Sequence, residues 1–238
     1  MSELVLAVPS KGRLEEQARA VFEKAGLMIT RPGGARAYQG ELRGLDGVTV
    51  RFLSAGEIAR ELTRGNLHVG VTGADLIHEV SEAAPNQVIF AKPLGFGEAD
   101  VVIAVPDAWR DVTHMDDLSD VGADFGAHKT RWLRVATKYV NLTRAFFSRH
   151  GIAEYRIVES LGATEAAPAN GSADLIVDIT TTGNTLKANG LRVLEDGLIL
   201  KSQANLIVSR KAAWSPAARQ SMNALLQAFG VAHFDLTA

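Results

Sequence analysis

Short apolar runs that end in a polar loop, followed by a stretch of helical periodicity, recur along this chain and limit its fold more than any other feature. The run Leu4–Val8 precedes the loop Ser10–Arg13, and the run Leu67–Val71 precedes the loop Thr72–Asp75. A third run, Asp174–Ile179, leads into a threonine-rich loop. Strands that alternate with helices predict an α/β fold with mostly parallel sheets, because parallel strands need a crossover connection.

The order of strands and helices repeats in the second half, which predicts two small units in a chain of 238 residues. We expect residues 1–97 and 187–238 to form a discontinuous first lobe and residues 98–186 to form the second, with a cleft between the lobes. No segment has the composition of a flexible linker, so we expect crossing strands to join the lobes.

Charge and composition exclude several classes of function. Lys and Arg total 25 and Asp and Glu total 27, so the net charge of −2 lacks the basic surplus of a nucleic-acid-binding protein. The absence of cysteine excludes disulfides, thiolate metal sites and cysteine nucleophiles. No run approaches the ~18 apolar residues of a membrane span, and the first residues do not resemble a secretory signal, so we expect no membrane contact and a cytoplasmic location.

Motifs of three common classes of site fail on spacing. The segment 122–130 has two glycines and a lysine but not the spacing of a P-loop, and Gly95-Phe96-Gly97 lacks the third glycine of a dinucleotide fingerprint. The six histidines show no metal-ligand spacing, so we expect no metal site made by the protein. The segment 122–132 has no role that its residues suggest.

The strongest local signal is the segment from Asp178 to the end of the threonine-rich loop. The loop consists of Thr180, Thr181, Thr182, Gly183, Asn184 and Thr185. Hydroxyls and backbone N–H groups at the start of a helix suit a phosphate group, and a carboxylate just before them suits sugar hydroxyls. A threonine-rich turn with an ordinary N-cap explains the same residues equally well.

The loop Ser10–Arg13 is a second candidate anion site. Lys11 and Arg13 flank Gly12, which permits a close approach of the backbone, and the two cations would neutralise phosphate charge. Solvated cations on a surface loop are an equally good interpretation of this loop taken alone.

Eight residues in and before the threonine-rich loop have the order and spacing of one family's signature. They are Glu165, Gly171, Ala173, Ile176, Asp178, Thr181, Gly183 and Thr185. Together with Ser10–Leu14, Gly70–Asp75 and Arg134–Asn141, they resemble the ATP phosphoribosyltransferases, which begin histidine biosynthesis. The resemblance covers most of the chain and implies two lobes similar to those of periplasmic solute-binding proteins.

The resemblance implies that ATP and phosphoribosyl pyrophosphate are the substrates. N1 of the adenine would attack C1 of the ribose, pyrophosphate would leave, and phosphoribosyl-ATP would form. Such a reaction depends on aligned substrates and on neutralised charge, and it needs no protein nucleophile. Mg²⁺ would arrive with the substrate phosphates, since no protein-made cage for it is visible.

The resemblance also implies which residues bind each substrate. Asp178, Glu165 and the threonine-rich loop would bind the 5-phosphate and ribose of the donor. Lys11 and Arg13 would act as catalytic residues that face the pyrophosphate or the triphosphate. The residues expected to contact ATP are Thr72, Gly73, Asp75, Arg36 and Tyr139. A packed helix position for Tyr139 and a solvated side chain for Arg36 are the alternatives. Ser54 stands where the family has an arginine.

Long members of the family carry a further C-terminal domain that senses histidine. Only residues 186–238 follow the threonine-rich loop, and we expect residues 187–238 to complete the first lobe. The chain therefore resembles the short form, which acts with a regulatory subunit similar to the catalytic core of histidyl-tRNA synthetase. We expect a homodimer or larger assembly that is insensitive to histidine without this subunit.

Two other functions are open on the sequence alone. A non-catalytic binder of a small anion would share the two-lobed fold, but it would have no use for two phosphate loops and a nucleotide loop. An inactive regulatory subunit would have no need of Lys11, Glu165 and Asp178 together.

Overall fold

The computed structural model describes residues 3–34, 37–129, 131–160, 162–232 and 236. The chain divides into two units, one formed by Met1–Gly97 and Gln203–Ala238 and the other by Glu98–Ser202. Each unit combines helices with a β-sheet, which confirms the α/β class. None of the described helices is long and apolar enough to cross a membrane.

The described residues form twelve strands and seven α-helices. In chain order the strands are β1 (Leu4–Pro9), β2 (Met28–Thr30), β3 (Gln39–Arg43), β4 (Val48–Leu53), β5 (Val69–Gly73), β6 (Val88–Pro93), β7 (Asp100–Pro106), β8 (Leu133–Thr137), β9 (Tyr155–Glu159), β10 (Leu175–Thr180), β11 (Leu191–Leu200) and β12 (Ala204–Ser209). The helices are α1 (Gly12–Lys24), α2 (Ala55–Arg64), α3 (Ala74–Val80), α4 (Met115–Lys129), α5 (Val140–Arg149), α6 (Asn184–Ala188) and α7 (Pro216–Ala228), with 3-10 helices at Ala84–Gln87 and Thr164–Ala166.

The sheet of the first unit has the strand order β2-β3-β4-β1-β5-β12-β6. Its central strand β1 is apolar throughout because it is covered on both faces. Leu6 packs in one core with Phe22 of α1, whereas Ala7 packs in another with Ile58 of α2. Since β1 runs parallel to β4 and to β5, the loops that follow these three strands lie at one edge of the sheet.

The sheet of the second unit has the strand order β11-β7-β10-β8-β9. β8 pairs in parallel with both β10 and β9, whereas β7 pairs antiparallel with β10 and with β11. The loops that follow β8, β9 and β10 therefore also share one edge of their sheet.

Two sequence expectations about the sheets were wrong. The sheets are mixed, not mostly parallel, because the hairpin β3–β4 and the strands β6, β7, β11 and β12 add antiparallel pairs. Residues 187–202 belong to the second unit instead of the first, because β11 pairs along β7 and the chain returns to the first sheet only at β12.

Ser54 and most of the segment 122–132 have structural roles. Ser54 is the N-cap of α2, and its hydroxyl accepts a hydrogen bond from the N–H of Glu57 at 3.3 Å. Such a cap stabilises a helix by about 1 kcal/mol. Most of the segment 122–132 is the second half of α4, a helix that the sequence analysis did not anticipate.

The buried His68 predicts a pH dependence of stability. Its Nδ1 accepts a hydrogen bond from the N–H of Val5 at 3.1 Å, which leaves Nε2 to donate to the carbonyl of Ala213 at 3.3 Å. Burial lowers the pKa of His68 below its ordinary value of 6.5, although the bond to Ala213 acts in the opposite direction. Since the folded state favours the neutral ring, this contribution to stability is complete above pH 6.5 and is lost as the pH falls below it.

We expect His68→Asn, whose amide oxygen can accept from Val5, to flatten the dependence of the unfolding free energy between pH 7 and pH 5. Urea unfolding of both proteins at each pH measures this. His78, whose pKa is also lowered by burial, retains part of the dependence in the variant. If the unfolding free energy of His68→Asn depended on pH as steeply as that of the parent chain, the neutral ring of His68 would contribute nothing to this dependence.

Candidate functional site

The parallel strands of the second unit bring three predicted segments to one edge of the sheet. Thr137 ends β8 and Lys138 follows it, the segment 160–165 follows β9, and the threonine-rich loop begins with Thr180, the last residue of β10. The N–H of Ser160 donates to the carbonyl of Thr137 at 3.0 Å, which ties two of these segments together. Because ligands of open α/β sheets bind beyond the carboxyl ends of the strands, this edge is the candidate donor site.

The threonine-rich loop is closed by its own hydroxyls. Thr180 Oγ1 accepts from the N–H of Gly183 at 2.8 Å, and Thr182 Oγ1 accepts from the N–H of Asn184 at 3.4 Å. Thr181 donates its hydroxyl to the carbonyl of Glu98 at 3.0 Å. A hydroxyl that accepts one bond still has its own hydrogen to donate, so Thr180 and Thr182 both shape the loop and keep a donor for an anion.

Gly183 sets the backbone of this loop. Its φ of +73° lies in the left-handed region, and it is the N-cap of α6. A side chain there would have open space but a strained backbone, since L-residues pay about 1–2 kcal/mol in that region. α6 has only five residues, so the loop's own N–H and O–H groups contribute more to an anion site than the helix dipole does.

Asp178 has a cationic partner that the sequence analysis missed. Lys138 Nζ lies 3.5 Å from Asp178 Oδ1, and the N–H of Ile179 donates to the same oxygen at 2.8 Å. Lys138 is exposed, and it directly follows β8 just as the threonine-rich loop follows β10. A lysine one residue beyond a parallel strand is the sequence signal that would have identified Lys138 as a site residue.

The segment that carries Glu165 has a strained backbone. Ala163, with φ +49°, is the only non-glycine residue of the described chain with positive φ. Thr164 behind it is buried, and its hydroxyl donates to Ser160 Oγ at 3.1 Å. Strain of this kind persists only where surrounding contacts hold it and is concentrated at functional sites. The half-buried Glu165 follows directly, in the 3-10 helix Thr164–Ala166.

In the first unit, Lys11 and Arg13 lie where β1 gives way to α1. Lys11 is the N-cap of α1, its backbone is extended, and its side chain makes no capping bond. Both side chains are exposed, and Gly12 between them has φ +69°. Among the described residues neither Lys11 nor Arg13 forms an ion pair within 4.0 Å, so both side chains can bind an anion.

The segment Thr72–Asp75, predicted as a loop, forms the end of β5 and the start of α3 at the same sheet edge, and two of its three predicted residues are buried. Thr72 is 2% exposed and donates its hydroxyl to the carbonyl of Ala55 at 2.8 Å. Asp75 is buried as well. Gly73 remains partly exposed, so its backbone is the part of this loop that a ligand can reach.

Two residues predicted to contact ATP remain, Arg36 and Tyr139, and the structure describes only the second. Arg36 lies outside the described residues. Tyr139 is 2% exposed, which agrees with the packed helix position rather than with a stacking surface for adenine. Thr137 ends β8, and its hydroxyl accepts a hydrogen bond from the N–H of Tyr139 at 2.8 Å before α5 begins at Val140.

Comparisons with known proteins identify the family. A sequence model of ATP phosphoribosyltransferase matches residues 54–230. The ATP phosphoribosyltransferase of Bradyrhizobium sp. (strain ORS 278) is 59% identical over 223 residues, which are 94% of this chain and 69% of that protein. The enzyme of Bradyrhizobium diazoefficiens is 61% identical over 222 residues, 93% of this chain and 68% of that protein.

Solved structures agree on the fold. A chain of the ATP phosphoribosyl transferase (HisG:HisZ) complex from Thermotoga maritima matches with a TM-score of 0.72 and 25% identity, over 95% of this chain and 96% of that chain. A histidine kinase sensor domain with similarity to periplasmic binding proteins matches with a TM-score of 0.53 at 13% identity, over 96% of this chain and 89% of that chain, and shares the fold alone. The chain belongs to the ATP phosphoribosyltransferase family, the transferases that catalyse the first step of histidine biosynthesis.

Proposed function

We propose that this chain transfers the phosphoribosyl group of phosphoribosyl pyrophosphate to N1 of ATP by holding the donor at the carboxyl edge of β8, β9 and β10. The observation that carries the proposal is the convergence of Lys138, Glu165 and the threonine-rich loop at that one edge. Such a reaction is accelerated by alignment of the substrates and by neutralisation of the departing charge.

In this proposal the hydroxyls of Thr180 and Thr182 and the backbone of the loop bind the 5-phosphate. Asp178 accepts hydrogen bonds from the ribose hydroxyls, and Lys138, 3.5 Å from it, holds that carboxylate in place. Glu165 lines the same edge. These groups orient C1 of the ribose toward the attacking nitrogen without forming a bond to it.

Two cations neutralise the departing group in this proposal. Lys11 and Arg13 neutralise the charge that grows on the pyrophosphate as its bond to C1 breaks, and the backbone of Gly73 contacts the nucleotide. Among the described residues no three His, Asp or Glu side chains could hold a metal ion together. We propose that Mg²⁺ enters bound to the substrate phosphates, where it screens their charge. We also propose that the enzyme acts on these substrates in the cytoplasm.

A direct assay tests the activity. The purified chain, mixed with ATP, phosphoribosyl pyrophosphate and Mg²⁺, is expected to form phosphoribosyl-ATP, measured by its absorbance, and pyrophosphate. Omission of either substrate is the control. An absence of turnover both alone and with a regulatory subunit would overturn the proposal.

Gly183→Val tests the donor loop. A β-branched residue is strained at φ +73°, so the loop would lose the turn in which Thr180 accepts from the N–H of residue 183. We expect the affinity for phosphoribosyl pyrophosphate to fall at least about tenfold, which corresponds to about 1.4 kcal/mol. Isothermal titration calorimetry measures it.

Gly151→Val is the matched control for this variant. Gly151 has φ +68° and open space around it, as Gly183 has, but it follows α5 and lies outside the threonine-rich loop. Both variants should lose similar stability, while only Gly183→Val loses donor affinity. Equal affinity of the two variants for phosphoribosyl pyrophosphate would show that the threonine-rich loop does not bind the donor.

We also propose that the chain acts with a separate regulatory subunit, because the Thermotoga maritima chain that it matches is part of a HisG:HisZ complex. That subunit would resemble the catalytic core of histidyl-tRNA synthetase, and the chain alone would be a homodimer or larger. We expect light scattering to show a hetero-oligomer on mixing, with higher turnover and with inhibition by histidine that the chain alone lacks. Inhibition of the chain alone by micromolar histidine would contradict this.

A further inference from the structure

A pocket of about 660 Å³ opens on the second unit beside the C-terminal end of α4. It is lined by Gly126, Arg131, Trp132, Arg134 and Arg156. Its volume lies within the range of about 300–1,000 Å³ that is usual for small-molecule sites. Three of these residues, Gly126, Arg131 and Trp132, belong to the segment 122–132, which has no role in the proposed reaction.

The pocket carries an excess of positive charge. Arg134 of β8 and Arg156 of β9 stand opposite each other in the parallel register, and like charges in that arrangement repel. Asp174 offsets part of the charge by pairing with Arg131 and Arg134. Within the described parts of the chain Arg156 has no ion-pair partner. Three guanidinium groups therefore face one carboxylate, and an anion in the pocket would relieve the repulsion.

The carboxylate fixes two of the guanidinium groups in place. Arg131 donates to the two oxygens of Asp174 at 2.7 and 2.9 Å. Arg134 donates to the same two oxygens at 3.3 and 3.1 Å and to the carbonyl of Gly171 at 2.8 Å. The side chain of Asp174 is 9% exposed, so the carboxylate lies behind the two arginines. Since a guanidinium has five N–H groups, both arginines keep donors for a phosphate.

Trp132 adds an aromatic surface to these cations. It is 60% exposed, which is unusual for the largest apolar side chain. An indole face beside arginines can stack a base while the arginines bind phosphates. We propose that this pocket binds a nucleotide through its diphosphate group on Arg131, Arg134 and Arg156 and its base on Trp132.

This pocket is separate from the proposed donor site. Arg134 and Arg156 lie near the beginnings of β8 and β9, whereas Thr137, Glu159 and the threonine-rich loop lie at or beyond the ends of the parallel strands. The two sets of residues are thus at opposite edges of the same sheet. The inference does not rest on the proposed reaction, and its failure would leave that reaction untouched.

Fluorescence of Trp132 provides the test. In a W109F/W214F background, Trp132 is the only tryptophan left of the chain's three. We expect titration with ADP to quench its emission in a saturable way that weakens with added salt, because phosphate contacts are screened. Inorganic pyrophosphate should compete with ADP without quenching, whereas adenosine alone should bind at least about tenfold more weakly than ADP.

Variants of Arg156 make the test specific. Arg156→Gln is expected to weaken ADP binding, measured by the fluorescence of Trp132, at least about tenfold. Arg156→Lys should weaken it less, because it keeps the charge but loses the bidentate guanidinium. Arg110→Gln removes an exposed arginine of the same unit that does not line the pocket, and it should leave the quenching unchanged. An absence of saturable quenching, or quenching equal in Arg156→Gln and Arg110→Gln, would overturn the proposal.

Discussion

Replacing Lys11 by alanine is expected to lower kcat by about 100-fold while it changes the Kd for ATP by only about threefold or less. The exposed ammonium of Lys11 lies at the carboxyl end of β1, and its side chain makes no capping bond to α1. Charge on the departing pyrophosphate grows as its bond to C1 breaks. A cation that meets this growing charge binds the transition state more strongly than the substrates, and its loss therefore lowers kcat.

Lys24→Ala is the matched control for Lys11→Ala. Lys24 is an exposed lysine in the last turn of the same helix, so its removal changes the net charge equally without touching the loop after β1. We expect its kcat to equal that of the parent chain, and Lys11→Arg to retain part of the activity because it keeps a cation there. If Lys11→Ala raised only the KM, Lys11 would hold the ground-state phosphates and would have no catalytic role.

The loops were predictable from sequence because their signals are local. An apolar run such as Leu4–Val8, with a glycine-containing loop and a helical pattern directly after it, specifies a strand, its carboxyl end and the residues placed there. Gly183, Lys11 and Arg13 accordingly occupy the predicted kind of position, at the junction of a strand and a helix. No knowledge of strand pairing is needed for such a prediction.

Features that depend on pairing or packing were not predictable. Thr72 has the sequence context of a ligand-binding loop, yet its hydroxyl donates a hydrogen bond to the carbonyl of Ala55 in α2. The sequence predicts that β11 belongs to the first lobe, but its pairing with β7 assigns it to the second unit. Asp178 meets Lys138 only because β10 and β8 are neighbours in the sheet. In α4 the glycines Gly122 and Gly126 weaken the local helix signal.

Asp174→Asn is expected to lower the free energy of unfolding by about 2 kcal/mol. This is less than the roughly 3–5 kcal/mol for removing one partner of a fully buried ion pair, because water screens the half-exposed Arg131. The carboxylate accepts from both guanidinium groups and from the N–H of Arg134 at 2.8 Å, directly before β10 begins. An amide keeps the shape but offers one acceptor oxygen, so Arg131 and Arg134 would repel each other without compensation. Urea unfolding at pH 7 measures the loss.

The pH dependence of this variant separates the charge of Asp174 from its shape. Burial alone raises the pKa of Asp174, but the hydrogen bonds from Arg131 and Arg134 outweigh it and hold the pKa well below its ordinary value of 3.8. The stabilisation is therefore present above pH 3.8 and is lost as the pH falls below it, so the parent chain and Asp174→Asn should converge in acid. Asp107→Asn, which loses an exposed contact 4.0 Å from Arg192, should match the parent at every pH. A gap between parent and Asp174→Asn that stayed constant into acid would mean that packing, and not the ion pair, holds the start of β10.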